Sequence, residues 1–210
     1  MAAVKDVFEF LDSIAAFDTQ MDFDNAGFLV GRSDRQVKRL LVSLDITEEV
    51  AEEAGALGAE LIVSHHPVIF HPAKSITDRD PVGRTLLALM EKGIAAICAH
   101  TNLDAAVGGV NDALADRLGL TDTVVLEPSG TDRLGRPIGI GRAGSAAADV
   151  PTSTAEYAAF VKRALGANGV RYVDAGRPVR RVAVGGGAFC HFGPLGVGLW
   201  CGNFLTSTVE

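Results

Sequence analysis

The sequence predicts an α/β protein, with a mixed, largely parallel sheet and helices on both faces. Three observations predict it. Residues 61–63 and 94–99 are apolar runs of strand length, each stopping at a cluster of His, Asn or Asp, and residues 81–92 between them have helical spacing. Residues 40–44 repeat that grammar, ending at Asp45 and leading into a helical stretch that stops near Gly58. Further on, strand-like runs at 123–126, 170–173 and 181–184 surround a helical pattern at 152–165. Strand–helix–strand units favour parallel neighbours in one sheet. Parallel strands bring their carboxyl ends to one edge, where open α/β sheets bind ligands.

Taken in order, residues 4–17 carry Val4, Val7, Phe8, Leu11, Ile14, Ala15 and Phe17 at helical spacing, so one face meets the core. Asp22, Asp24, Asn25 and Gly27 form a turn before a short strand at 28–30. Such side chains usually bond local backbone; a direct catalytic role for Asp24 or Asn25 is the alternative. Thr47 reads as a helix N-cap, with Glu48 and Glu49 in the first turn where the dipole favours them. Asp45 either belongs to that cap or, lying on the ligand edge, orients a ligand or the substrate.

Residues 67–81 form a proline-containing loop with His71 and Lys74, the lysine being a candidate contact for an anionic substrate. Gly108 and Gly109 precede a helix that runs from 110 to Gly119, with Asn111 or Asp112 as cap. An ordinary turn and an anion-binding helix start are both open there. Residues 127–137 read as a loop. Gly139, Gly141 and Gly144 match G-x-G-x-x-G in form only, since Pro151 intervenes and no strand–turn–helix unit follows. The expected division is a metal-binding half over 1–127 and a second α/β half over 128–210.

The chemistry gathers at His65, His66, His100 and Asp104, all expected on one edge of the sheet. A lone strand-end histidine is commonly just a hydrogen-bonded polar residue. The segments SHHP and HTNLD on neighbouring strands together favour a metal site. Imidazole nitrogen and carboxylate oxygen suit zinc, iron or manganese. Pro67 holds His66 near extended geometry, and adjacent residues of an extended chain point to opposite sides. The two imidazoles are therefore expected to diverge, one toward each of two nearby ions, with a carboxylate such as Asp104 bridging.

The whole chain sets bounds. Its 210 residues, 48% hydrophobic and 21% charged, fit one large or two small globular domains. A net charge of -7 argues against a nucleic-acid partner, though bound cations would still admit a small phosphorylated substrate. Three cysteines form no disulfide framework, and Cys98 reads as a small buried residue. With no signal-like start and no run of membrane-spanning length, the cytoplasm is expected and the membrane is not.

The segments DNAGFLVG, LIVSHHPVIF and HTNLDAAVGGVNDALADRLGL resemble the NIF3-like family, also named GTP cyclohydrolase 1 type 2 homologues, over most of the first 120 residues. The resemblance implies that His65, His66 and Asp104 are metal ligands. The family completes a dinuclear site with a His-x-x-x-Glu motif near its C-terminus. Here the histidine after residue 100 is His191, with Leu195 four positions on. Phe23 stands where the family typically has tryptophan. The resemblance further implies a metal-dependent hydrolase with two divalent ions per chain, activating water against a nucleotide-type small molecule. It also implies a homohexameric ring.

His100 is expected to be catalytic, orienting a ligand from behind or carrying protons, because imidazole titrates near neutrality. The same machinery would serve a phosphoesterase. A metal-binding regulatory or interaction protein without turnover is the alternative of a different class. Cys190, His191 and Cys201 are a candidate replacement metal site, and FLTS at 204–207 is the last expected strand.

Overall fold

The structure is a computed structural model. It describes residues 1–147, 153–174 and 176–187, and the backbone of 203–207. Cys190, His191 and Cys201 lie outside the described residues. The chain divides into two compact units, Met1–Leu103 and Asp104–Glu210.

The first unit begins with β1 (Ala2–Ala3) and α1 (Val4–Ile14), followed by β2 (Gly27–Val30), β3 (Gln36–Val37) and β4 (Leu40–Ser43). Then come α2 (Glu48–Leu57), β5 (Leu61–Ser64), α3 (Pro81–Lys92) and β6 (Ala95–Cys98), and α4 (Thr101–Ala105) crosses into the second unit. The main sheet has the order β2-β6-β5-β4. Strands β4, β5 and β6 are parallel, and β2 runs antiparallel on the β6 side.

Helices cover both faces, and the period of two explains how. Leu61, Ala95 and Ile97 pack against Val4, Val7, Phe8 and Leu11 of α1. The alternate residues Ile62 and Ala96 pack against Ala51 and Ala54 of α2 and Leu86 and Leu89 of α3. Residues of β5 and β6 are thus apolar on both sides, as strands covered on two faces require.

The caps follow the sequence. Thr47 accepts from the Val50 N–H, and Asp80, just before Pro81, accepts from the Gly83 N–H at 2.8 Å. Helix α2 ends at Gly58, whose φ of 67° is the left-handed conformation that closes a helix. Helix α1 stops earlier than its apolar spacing suggests. Asp12 accepts the Phe17 N–H at 3.0 Å, and the chain turns into a short 3-10 segment at Phe17–Thr19.

The second unit holds α5 (Val110–Arg117), β7 (Thr121–Thr131), β8 (Pro137–Ser145), α6 (Thr154–Leu165), β9 (Arg181–Gly186) and β10 (Asn203–Ser207). Its sheet has the order β10-β9-β8-β7, antiparallel except for the parallel β9–β10 pair. Leu118, Tyr157, Val161, Val182 and Val184 form its core. The units divide at 103/104 rather than after 127 because β7 pairs along its length with β8, and α5 packs on β8 and β9.

Three sequence readings differ here. Residues 127–137 are not one loop: β7 continues to Thr131, and the turn is held by Asp132, which accepts the Leu134 and Arg136 N–H groups. Its partner strand β8 was hidden by glycines. At Gly139 φ is 153°, and a Cβ there would sit 2.0 Å from the Glu127 carbonyl oxygen, so only glycine permits the pairing. The run 170–173 is not a strand. It has no ladder partner among the described residues, and Val173 is 89% exposed. In α5 the N-cap is Gly109, while Asn111 is buried and Asp112 accepts from the Gly108 N–H.

Candidate metal centre

The register of β5 and β6 builds the site. Ser64 stands opposite Cys98, so both chains leave the sheet at the same level. Backbone bonds carry the order slightly further: His65 N–H to Ser43 O, His66 N–H to Leu44 O, and Ala99 N–H to Ser64 O. The Ser64 hydroxyl donates to the His66 carbonyl and the Cys98 thiol to the His65 carbonyl. Burial pushes that thiol's pKa up to about 12, so Cys98 stays protonated and keeps this donor role.

His65, His66 and His100 converge. Their ring centroids are 5.1, 5.1 and 5.5 Å apart, and one ligand atom from each lies within 4.8 Å of the others. The expected divergence of His65 and His66 is therefore not found. Strand β5 ends at Ser64, and the two histidines sit in a bend where the alternation of extended chain no longer applies. His100 stands beside the pair rather than behind it.

Each ring is anchored through Nδ1. His65 Nδ1 bonds the Ala99 carbonyl at 3.0 Å, His66 Nδ1 bonds Asp45 Oδ1 at 2.8 Å, and His100 Nδ1 bonds Asp24 Oδ1 at 2.8 Å. A carbonyl or ionised carboxylate only accepts, so each Nδ1 is a protonated nitrogen, and in the neutral ring Nε2 carries the lone pair. This is the arrangement that orients metal-binding imidazoles. Burial lowers the His65 pKa, with the neighbouring His100 and His66 acting the same way, and a neutral ring is what a cation requires.

Asp24 is the most committed of the three anchors, with its side chain fully buried. Oδ1 also accepts the Asn25 N–H at 2.7 Å, and Oδ2 accepts both the N–H and the hydroxyl of Thr101. Burial alone would raise its pKa. The bonds from His100, Thr101 and Asn25 outweigh that and hold the carboxyl well below the usual range. Thr101 Oγ1 accepts the Met21 N–H in turn, and the buried Asn102 ties the His100 N–H to the Ala15 carbonyl. Asp45 is more open, 54% exposed beside a His66 side chain that is 42% exposed.

Among the described residues these three imidazoles are the group able to hold a metal ion, and the donor set fits one: three imidazole nitrogens in oriented rings are a known zinc-type set. Asp104 is the first residue of the second unit, and its carbonyl accepts from the Asn111 amide at 2.9 Å. Asp45 orients the His66 ring, one of the two roles expected of it, whereas the anchoring roles of Asp24, Thr101 and Asn102 were not specified by the sequence. The available signal was a carboxylate at the end of each strand or turn bordering the ligand edge.

Fold and site define the class: an α/β protein whose parallel strands present a histidine centre able to take a divalent metal. The sequence profile of Duf34/NIF3 (NGG1p interacting factor 3) matches residues 2–195, and the chain belongs to that family. A Clostridium perfringens protein named GTP cyclohydrolase 1 type 2 homolog is 32% identical over 186 residues, covering 88% of this chain and 69% of that protein. One of the same name from Halalkalibacterium halodurans is 46% identical over 111 residues, 53% of this chain but 30% of that protein. This chain thus spans under a third of the second relative's length. A hypothetical protein of Staphylococcus aureus has the same fold, with a TM-score of 0.89 at 26% identity, over 99% of this chain and 79% of that one. Among the described residues, no helix is long and apolar enough to cross a membrane.

Proposed function

We propose that the chain is a metal-dependent hydrolase of a small nucleotide-type substrate. His65, His66 and Asp104 are its ligands for divalent zinc, iron or manganese, two ions per chain, and His100 is its proton carrier. The observation that carries this reading is the pair His65 and His66, each ring oriented through Nδ1, with His100 held beside them in the same way. A bound divalent ion supplies Lewis acidity and a lowered pKa for the water it holds. The protein supplies orientation. Ala99 and Asp45 fix His65 and His66 before any ligand arrives, so little ordering remains to be done on binding. His100 takes a proton at Nε2, and the imidazolium so formed is stabilised through Nδ1–H by the buried, ionised Asp24. The name shared by the relatives supports a nucleotide-type substrate.

The test is metal content after loading with each ion, followed by hydrolysis of a nucleotide and phosphoester panel. About two ions per chain with turnover is the expected result; tight metal without turnover makes the chain a binding protein instead. His100→Ala is expected to keep its metal and lose about 10²–10⁴-fold in turnover. Metal loss in that variant makes His100 a ligand and overturns its proton role.

Self-association into a hexamer belongs to the same reading. Leu40 and Val42 of β4, the outer strand of its sheet, are 46% and 72% exposed, and Leu44 just past it is 45% exposed; this apolar row supports contact with another copy. Sedimentation of the chain is expected to report a hexamer, and a monomer at micromolar concentration overturns it.

A further inference from the structure

Beside the three imidazoles lie two aromatic rings whose exposure the fold does not explain. Phe23 is 64% exposed on the turn that carries Asp24, and Phe70 is 38% exposed on the loop after His66. Their centroids are 6.5 Å apart, tilted 55°. The Asn25 amide donates to the Ile69 carbonyl, so the two loops are joined at the base of the pair. Phe70 is 6.4 Å from His100 on one side and 4.9 Å from His71 on the other. It also lines a cavity of about 350 Å³ together with His71, Lys74 and Ser75. The acidic group in that lining, Asp80, is already engaged as the N-cap of α3. Phe70 thus stands between the imidazole cluster and a pocket that carries a lysine ammonium, a hydroxyl and a second imidazole.

We propose that Phe23 and Phe70 form a platform for a planar heterocycle and that Lys74, with His71 and Ser75, receives the anionic group of the same substrate. This deepens the hydrolase reading and rests on it for the identity of the site. Both Phe rings offer π faces on which any flat base stacks, so the platform selects for a ring without reading its edge. Lys74 supplies a point charge for phosphate. A ring at one end and a phosphate at the other is the outline of a nucleotide, laid across the face of the histidine centre.

The experiment is equilibrium binding of GMP, guanosine and ribose 5-phosphate to the metal-loaded chain, with metal content measured in every variant. Phe23→Ala and Phe70→Ala are each expected to weaken GMP and guanosine about tenfold and to leave ribose 5-phosphate and metal content unchanged. Phe70→Tyr is expected to restore ring binding. Lys74→Ala is expected to weaken GMP and ribose 5-phosphate but not guanosine. The proposal is overturned if ribose 5-phosphate binds as tightly as GMP. It is also overturned if the Phe variants weaken all three probes alike, or change only self-association, which would mean that another copy covers the rings. Nucleotide turnover and GMP binding that Phe70→Ala leaves untouched overturn the platform while sparing the hydrolase reading. Ring-selective binding with no turnover of any substrate does the reverse.

Discussion

His65→Ala and His66→Ala are each expected to abolish tight metal binding while leaving the fold in place. Each ring stands on loop backbone beyond β5, and neither imidazole is part of the apolar clusters that hold the sheet and helices together. Losing one of so few nitrogen donors removes more than the 10–100-fold that follows when only an orienting partner is lost. The measurement is metal per chain after dialysis, with circular dichroism as the check on folding. His71→Ala is the control, since His71 stands outside the three-imidazole group and is expected to leave metal content unchanged. Full metal in both variants would sink the ligand assignment.

The second large effect is on stability and falls at Asp24. Asp24→Ala leaves the His100 ring, the Asn25 N–H and both donors of Thr101 without their acceptor. Leaving a buried donor without its acceptor costs about 1–3 kcal/mol, and chemical denaturation is expected to report a loss of at least that order. Asp24→Asn keeps one carbonyl acceptor and is expected to lose less.

Acid provides an independent check on the metal-free chain. The folded carboxyl titrates below its ordinary value of 3.8, so the unfolded chain takes up this proton first as pH falls. The contribution is fully present above about pH 4 and is lost as pH drops toward the lower folded value. In Asp24→Asn that part of the acid slope is expected to vanish. An unchanged slope would mean that the carboxylate is not held ionised as its bonds require.

Much of the architecture was legible because local chemistry and global burial agree. Leu61, Ile62, Ala95, Ala96 and Ile97 are apolar on consecutive positions, the mark of strands covered on two faces, and the helices between them carry Thr47 and Asp80 at their starts. The histidines were legible as residues placed just past those runs. Their convergence was not, because the argument from extended chain fails once β5 ends at Ser64. Nor was the Asp24–His100 pair, whose members are 76 residues apart and meet only because β2 lies against β6. A turn full of Asp and Asn looks self-sufficient in sequence, and here one of its carboxylates turns inward instead. Strand β8 was missed for the opposite reason. Gly139, Gly141 and Gly144 look like loop, yet at Gly139 and Gly144 the neighbouring strand backbone leaves no room for a side chain.

The matched ends of β5 and β6 have one more consequence. His65 and its carbonyl anchor at Ala99 are 34 residues apart, so the denatured chain does not hold the three nitrogens together. Any cation they grip therefore favours the native state alone. At a free concentration a hundred times its dissociation constant, it adds about 2.7 kcal/mol. The melting temperature of this protein becomes a gauge of cation occupancy, and titrating candidate ions against it ranks their affinities before any substrate has been found.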